Sequence, residues 1–242
     1  MTGVTPAVPP SATPGVTPTV TPSVTPAALA ERLRPDRTAL ILIDLSNDFV
    51  HDEGKAATVG GRDVGHAQRI LPAVAALAEA ARRAGAAVIH SQHTTLPGGA
   101  SDSPVWRDAR SRAAYSAPDI CLDGSWGQEI VAEVAPRPGD HVVKKYRYGG
   151  FTGTNLELVL RSLGRDSVIC CGVSTNVCVD TTAREAFARD FHVTIAADAC
   201  ASWDMDLHAA SLRTAERRFA VVAAADDIRA AWPVSDPDEE AR

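Results

Sequence analysis

The chain has 242 residues, of which 45% are hydrophobic and 22% are charged, a balance typical of a globular protein with a substantial core. Its formal net charge of −6 and its lack of a basic run argue against nucleic acid or an anionic membrane as a partner. No stretch approaches the roughly 18 to 20 unbroken apolar residues that span a bilayer. Five cysteines without a CxxC pair favour a reducing, cytoplasmic compartment over a disulfide framework.

The two ends of the chain differ in composition from its centre. Residues 1–28 form a Thr-Pro-rich repeat whose frequent prolines oppose helix and strand, so a disordered tail is expected there. This segment also lacks the positive and apolar regions of a secretory signal. Residues 233–242 are typical of a flexible acidic tail. The sequence therefore predicts one folded domain over residues 29–232.

Between these tails, apolar runs of strand length alternate with helical patterns. In chain order, the predicted strands are TALILIDL, AAVIHSQ, HVVKKY, SVICCGV, HVTIAADA and AVVAA. The predicted helices are AQRILPAVAALAEAARRAG, a short GQEIVAEV, NLELVLRSLG, VCVDTTAREAFAR and DLHAASLRTAERRF. Residues 94–126 are predicted to be irregular. This alternation predicts an α/β domain whose mostly parallel sheet is covered on both faces, with the functional site at the carboxyl ends of the strands.

Three polar residues mark the carboxyl ends of three predicted strands. Asp44 follows the first strand, Lys145 ends the third, and Cys178 lies just after the fourth, in the first turn of the next helix. Each has an ordinary explanation: a turn or cap, a solvated lysine, and a small packing residue. Together they fit nucleophilic catalysis. A helix N-terminus and a lysine favour the thiolate, Asp44 can accept its proton, and backbone N–H groups can bind an oxyanion.

The order of three motifs gives these residues a context. ALILIDLSNDFV, VVKKYRYGGFTGTNLELVLRSLG and VICCGVSTNVCVDTTAREAFARDFHVTIAADAC together resemble the isochorismatase-like cysteine hydrolase superfamily. The resemblance runs from about residue 38 to 224. It implies a three-layer α/β/α fold around a mostly parallel, Rossmann-like sheet of six strands. The segment around GSW, PGD and RYGGF is most similar to ureidoacrylate amidohydrolases and related enzymes.

The resemblance also implies roles for individual residues. Asp44 corresponds to the general base, Lys145 to the catalytic lysine, and Cys178 to the nucleophile. The backbone amides of Ser174 and Cys178 correspond to the oxyanion hole, and the Val173–Ser174 peptide is expected to be cis. Ser46 replaces a common Gln and Gly149 a common Ser, so the pocket is expected to differ from that of many relatives.

Residues that flank the motifs are candidates for substrate binding. They are Asn47, Phe49, Trp126, Tyr148, Phe151 and Asn176. The aromatic ones could equally belong to the core, and Asn176 could instead cap the helix after it. His90 and His93 lie where nicotinamidases bind a metal, but the accompanying Asp is missing. We therefore favour a structural or substrate-facing role for both histidines and expect no metal.

These observations predict a cysteine-dependent hydrolase of a small amide, carbamoyl or ureido compound, acting through a thioester. Two alternatives stay open: a vinyl-ether hydrolase of the isochorismatase type, and a non-catalytic member that binds a small molecule. No cofactor motif is present, so no cofactor is expected. The resemblance further implies a homo-oligomer.

Overall fold

The computed structural model describes residues 23–112 and 117–232, and within them one sheet has six parallel strands. The strands are β1 (Thr38–Ile43), β2 (Ala87–His93), β3 (His141–Lys145), β4 (Ser167–Val173), β5 (His192–Ala201) and β6 (Val221–Ala223). Their order across the sheet is β3-β2-β1-β4-β5-β6. The chain thus builds outward from β1 in both directions, and the predicted α/β fold is confirmed.

Helices fill the connections between the strands. They are α1 (Pro26–Arg32), α2 (Asn47–Val50), α3 (Lys55–Thr58), α4 (Gly65–Ala84), α5 (Pro104–Arg112), α6 (Leu156–Ser162), α7 (Asp180–Phe187), α8 (Met205–Arg218) and α9 (Ala225–Ala230). Helices α4 and α9 cover one face of the sheet, and α7 and α8 cover the other. Among the described residues, no helix combines the length and the apolarity that crossing a bilayer requires.

The two central strands form the middle of the core. Every residue of β1 and β4 is buried, which explains their unbroken apolar sequences. The order of the strands reverses between β1 and β4, and in open α/β sheets such a switch point opens a crevice at the carboxyl ends of the strands. Gly172 lets the two strands approach there. It has φ +117°, and a Cβ at this position would lie 2.1 Å from the carbonyl oxygen of Ile43.

Three predictions of local structure differ from the structure: two lie within the domain and one at its N-terminal boundary. The segment GQEIVAEV forms two short 3₁₀ turns instead of a helix, because Glu129 and Val131 hydrogen-bond to the backbone of Asn47 and Leu45 as an added strand would. The predicted irregular segment 94–126 contains α5. Its start carries a helix signal, since Ser103 Oγ accepts a hydrogen bond from Trp106 N, 3.2 Å away, and proline follows the serine.

The N-terminal boundary also differs from the prediction. Helix α1 begins at Pro26, within the predicted tail, because Thr25 Oγ1 accepts a hydrogen bond from Ala28 N and proline occupies the first turn. The remainder of the 1–28 prediction up to residue 22, and the predicted tail over 233–242, lie outside the described residues.

Candidate active site

Asp44 is held rigidly at the carboxyl end of β1. Its φ of 55° turns the chain sharply, and its side chain is only 1% exposed. The backbone N–H of Asp44 donates to the carbonyl of Ser91, and the N–H of His93 donates to Asp44 Oδ1, both at 2.9 Å. Two bonds from β2 thus fix the carboxylate, and its second oxygen, Oδ2, is directed toward the crevice residues.

Lys145 faces Asp44 from the end of β3. Its side chain is completely buried, so its charge needs compensation. Its Nζ lies 2.8 Å from Asp44 Oδ2 and donates to the carbonyl of Arg147 at 3.0 Å. Burial lowers the pKa of the Lys145 ammonium, but the Asp44 carboxylate and Cys178 outweigh that effect, so the pKa is raised overall. Lys145 is therefore a permanent cation in this site.

Cys178 completes this cluster from the far side of the crevice. It lies in a π-helical turn, Thr175–Val179, directly before α7, and its side chain is partly exposed. The thiol lies close enough to Asp44 and Lys145 for both charges to shift its pKa. Burial raises the pKa of the Cys178 thiol, Lys145 opposes the rise, and Asp44 adds to it. The pKa of the thiol is therefore raised overall, although the lysine favours the thiolate as expected. The proton stays on sulfur because desolvation and a neighbouring carboxylate outweigh the lysine.

The other four cysteines are fully buried in the fold. Burial raises the pKa of Cys170 to about 12 and raises the pKa values of Cys171 and Cys200 as well. Cys121 is the one of these four whose pKa responds to the cluster. Burial raises it, the Asp48 and Asp44 carboxylates add to the effect, and Lys145 opposes it. Of the five cysteines, Cys178 is the one that lines the cavity beside Asp44.

Backbone and side-chain bonds hold the turn before Cys178. The Val173–Ser174 peptide is cis, as the resemblance implied. The carbonyl of Ser174 accepts from the N–H groups of Val177 and Val179 at 3.1 and 3.2 Å, which closes the turn. Thr175 Oγ1 lies 2.8 Å from Nδ1 of the buried His208 on α8. These bonds place the backbone of residues 174 and 178 on the same rim as the thiol.

The cluster opens into a cavity of about 50 Å³. Side chains at or just beyond the carboxyl ends of β1 to β5, from α2, from α5 and from the loop before residue 121 form its walls. The lining residues are Asp44, Phe49, His93, Trp106, Arg110, Ala117, Ile120, Tyr148, Val173, Ser174, Val177, Cys178 and Trp203. The walls are mostly apolar and aromatic, with charge confined to a few points, as in many small-molecule sites.

The structure separates the predicted substrate-binding residues into two groups. Phe49 and Tyr148 line the cavity. The other four, Asn47, Trp126, Phe151 and Asn176, do not line it. Their positions beside the motifs in sequence do not set the direction of their side chains, and a role for these four in substrate binding stays a prediction.

Each of those four side chains has another partner. Asn47 Nδ2 donates to the carbonyl of Trp126 at 2.8 Å, and the Trp126 ring, 44% exposed, meets His51 edge-on at 5.1 Å. Phe151 is buried against Phe191, with ring centroids 5.8 Å apart.

Asn176 Oδ1 accepts a hydrogen bond from Ser202 Oγ at 2.6 Å. The same residue makes no side-chain capping bond to the helix after it, which was the other role considered. It instead joins the turn before Cys178 to the end of β5.

Sequence reasoning missed three aromatic or charged residues of the cavity wall: Trp106, Arg110 and Trp203. Trp106 and Arg110 lie one helical turn apart on α5, and Trp203 lies just beyond β5. Trp106 packs against Tyr148, with ring centroids 4.6 Å apart. The cap of α5 at Ser103 was a usable signal for the first two, whereas the position of Trp203 depends on the tertiary fold.

His90 and His93 point to opposite faces of the sheet, since three positions along a strand reverse the side chain. His90 Nε2 lies 3.3 Å from Asp140 Oδ2, away from the cavity. His93 lines the cavity, and burial, reinforced by Lys145, lowers its pKa well below the usual range. The pair therefore cannot share an ion. Within residues 23–112 and 117–232, no group of three His, Cys, Asp or Glu side chains could hold a metal.

Gly149, one of the two departures from the family pattern, has a steric role. A Cβ at this position would lie 2.2 Å from Glu185 Oε2. The same Glu185 oxygen accepts from the N–H of Phe151 at 2.9 Å, and Thr152 donates to the other oxygen. The missing side chain thus lets Glu185 on α7 hold the loop that follows Lys145. Ser46, the other departure, is buried beneath the loops.

Comparison with known proteins assigns the chain to a family. The isochorismatase domain matches residues 38–227. The ureidoacrylate amidohydrolase RutB of Agrobacterium fabrum is 31% identical over 218 residues, which are 84% of this chain and 95% of the relative. A crystal structure of a cysteine hydrolase from Pseudomonas syringae pv. phaseolicola is 29% identical with a TM-score of 0.74, covering 83% of this chain and 94% of that one. The N-carbamoylsarcosine amidase structure from Thermoplasma acidophilum is 28% identical with a TM-score of 0.63, covering 78% and 97%. The chain therefore belongs to the isochorismatase family.

Proposed function

We propose that the protein is a cysteine-dependent amidohydrolase that cleaves the C–N bond of a small amide, carbamoyl or ureido compound through a thioester. The observation that carries this proposal is that Asp44 and Cys178 line the same mostly apolar cavity, with Lys145 Nζ 2.8 Å from Asp44 Oδ2. The names of similar proteins support it, because ureidoacrylate amidohydrolase and N-carbamoylsarcosine amidase both denote cleavage of C–N bonds.

Asp44 is the proton acceptor in the first step. As the sulfur attacks the carbonyl carbon, the thiol proton moves to Asp44, and the carbonyl π electrons move onto oxygen. Because the resting thiol is protonated, transfer to Asp44 accompanies attack instead of preceding it. Lys145 remains charged and stabilises the negative charge that is shared between the thiol sulfur and the carboxylate.

The backbone N–H groups of Ser174 and Cys178 are the proposed oxyanion donors. They lie on the rim that carries the thiol, at the cavity wall. Donors fixed in a site that excludes water stabilise a developing oxyanion without reorganising, and losing one typically costs on the order of 10²- to 10³-fold in rate.

Collapse of the tetrahedral intermediate breaks the C–N bond. Asp44 returns its proton to the departing nitrogen, which leaves as ammonia or an amine, and the acyl group remains on sulfur. A water molecule then gives a proton to Asp44 and attacks the thioester. The acid product leaves, and the proton on Asp44 restores the thiol.

The direct test is a panel of ureido, carbamoyl and simple amide compounds, assayed for release of ammonia or amine. With the best substrate, an acid quench followed by intact-mass measurement should show an acyl adduct on the wild-type protein. Cys178→Ala should show neither turnover nor adduct while keeping its melting temperature. Cys121→Ala, which removes the other thiol whose pKa responds to the cluster, should keep activity within about threefold and is the matched control.

Two outcomes would favour the alternatives. Hydrolysis of isochorismate that survives Cys178→Ala would point to vinyl-ether chemistry with Asp44 as the acid. Complete inertness toward the panel and toward iodoacetamide, in a folded sample, would point to a binding protein.

A further inference from the structure

The loop that follows Lys145 has to cross the sheet to reach the helix after Cys178. Strands β2 and β1 lie between β3, which ends at Lys145, and β4, so β3 and β4 are about 14 Å apart. Hydrogen bonds between neighbouring strands therefore do not directly set the position of Lys145 relative to Cys178. Residues 146–151 span this gap, and Tyr148 among them lines the cavity. The bonds that hold this loop therefore shape the site.

The first part of the loop is bonded to the Lys145 ammonium. Lys145 Nζ donates to the carbonyl of Arg147 at 3.0 Å and lies 2.8 Å from Asp44 Oδ2. Tyr148 follows Arg147 directly in the chain. The position of the Tyr148 backbone is therefore coupled to a charged group of the cluster.

The far part of the loop is bonded to Thr182 on α7. The N–H of Gly150 donates to Thr182 Oγ1 at 3.0 Å, and the same hydroxyl donates to the carbonyl of Cys178 at 2.7 Å. Thr182 is completely buried, so water does not compete for these bonds. A hydroxyl has one hydrogen to donate and lone pairs to accept with. One side chain thus holds the loop and the backbone of the cysteine at the same time.

The second of these bonds distinguishes Thr182 from an ordinary helical threonine. A threonine in a helix commonly donates to the carbonyl four residues earlier, as the exposed Thr214 does to Ala210 at 2.8 Å. The Thr182 hydroxyl also accepts an N–H from another element. The other side of that peptide is held as well, because Thr154 Oγ1 donates to the carbonyl of Gly150 at 2.6 Å.

Resting on the proposed amidohydrolase function, we propose that Thr182 is a positioning residue, whose hydroxyl fixes the loop that carries Tyr148 relative to Cys178. Thr182 does not line the cavity, so it acts through these two residues. With the loop in place, the thiol lies at a cavity of about 50 Å³ beside Asp44. Removing the hydroxyl leaves a buried N–H without its partner, which favours displacement of the loop toward water.

The kinetic test removes the hydroxyl and keeps the shape of the side chain. On the best panel substrate, Thr182→Val should lower kcat about 10- to 10²-fold with KM within about threefold, because small displacements of reacting groups cost that much. Thr182→Ser, which keeps the hydroxyl, should restore kcat to within about threefold of the wild type. Thr214→Val removes the helical bond alone, and Thr194→Val removes a completely buried hydroxyl of β5. Neither control should change kcat by more than about twofold.

Alkylation keeps the inference separate from the catalytic proposal. Iodoacetamide at about pH 7 should label Cys178 about fivefold faster in Thr182→Val than in the wild type, because the displaced loop gives water and reagent access to the thiol, and hydration favours the thiolate. Thr182→Ser and Thr194→Val should react within about twofold of the wild type. Peptide mapping shows whether the label is confined to Cys178, since the other four cysteines are buried and become reactive on unfolding.

Faster labelling confined to Cys178 supports the positioning role even if no panel compound is hydrolysed, in which case the proposed function alone fails. Unchanged labelling in Thr182→Val, unchanged kcat on a hydrolysed substrate, or a rise in KM alone would each overturn the inference. An equal loss of kcat in Thr182→Ser would overturn it as well. Label on the buried cysteines of Thr182→Val, but not of Thr194→Val, would show that the hydroxyl serves folding instead.

Discussion

Two buried carboxylates, Asp44 and Asp140, lie at opposite ends of the sheet and differ in how completely they are bonded. Asp140, just before β3, accepts from Arg82 Nε at 3.1 Å, Arg82 Nη2 at 2.6 Å and the N–H of Arg137 at 2.9 Å, and it also contacts His90. Asp44 accepts from the N–H of His93, while its Oδ2 stands beside Lys145 Nζ without the alignment of a hydrogen bond.

That difference separates a structural carboxylate from one able to carry a proton. Asp140 does not line the cavity beside Cys178, and although burial works to raise its pKa, the bonds from Arg82 and Arg137 lower it overall. Protonation of Asp140 is therefore unfavourable. Asp44 keeps an oxygen available at a cavity that also contains a thiol. An incompletely bonded buried carboxylate is costly to the fold, and such exceptions concentrate at functional sites.

The largest expected effect comes from neutralising each carboxylate without changing its size. Asp44→Asn should lower kcat/KM by about 10³-fold or more, because the amide cannot accept the thiol proton. Asp140→Asn should leave kcat/KM within about threefold but lower the free energy of unfolding by about 2–3 kcal/mol, because Arg82 loses its charged partner. Steady-state assays on the best panel substrate and urea unfolding measure the two quantities. An equal loss of activity in both variants would show that Asp44 and Asp140 do not differ in their roles.

A smaller effect is expected from Gly149→Ser, which tests how the loop that follows Lys145 is held in place. The new Cβ would collide with the Glu185 carboxylate, so we expect the free energy of unfolding to fall by about 1–3 kcal/mol and kcat/KM to fall as Tyr148 shifts. Adding Glu185→Ala removes the colliding group. The double variant should therefore lose less stability than the two single losses combined, and strict additivity would mean that the contact is unimportant.

The smallest effect is a slope of stability against pH. Burial lowers the folded-state pKa values of His90 and His93, and Lys145 adds to the effect at His93, where it is stronger. The unfolded chain takes up protons below about pH 6.5 while the folded chain does not, so stability is complete above that pH and falls as the pH is lowered. Each histidine contributes up to about 1.4 kcal/mol per pH unit in that window.

Replacing each histidine in turn measures how much it contributes to the slope of stability against pH. Urea unfolding between about pH 7 and about pH 5 should give a shallower slope for His93→Gln than for the wild type, and a lesser flattening for His90→Gln. A wild-type slope that both variants keep unchanged would show that other groups set the pH dependence.

Much of this arrangement could be predicted from the sequence. Unbroken apolar runs indicated β1 and β4, and the rule that parallel strands end at one edge brought Asp44, Lys145 and Cys178 together before any coordinates were known. Their catalytic roles remain a proposal, as does the homo-oligomer.

The rest depended on directions and partners that a single sequence does not encode. Because Trp126 and Phe151 lie beside motifs, both were predicted to line the pocket. The Trp126 ring instead lies at the surface, and the Phe151 ring packs against Phe191. Segment 127–134 had helical spacing, yet backbone bonds to residues 45–47 prevailed over propensity. Cys178 seemed set to ionise, and only its burial beside Asp44 shows why the proton is retained.

The protonated state of Cys178 also bears on how the protein survives oxidants. Peroxide and disulfide exchange consume thiolates, and a neutral thiol reacts slowly with both. In the proposed mechanism Cys178 releases its proton only as a carbonyl group approaches, so the thiol would be shielded between turnovers. The burial that keeps the thiol protonated would therefore make Cys178 more resistant to oxidation than a permanently ionised cysteine.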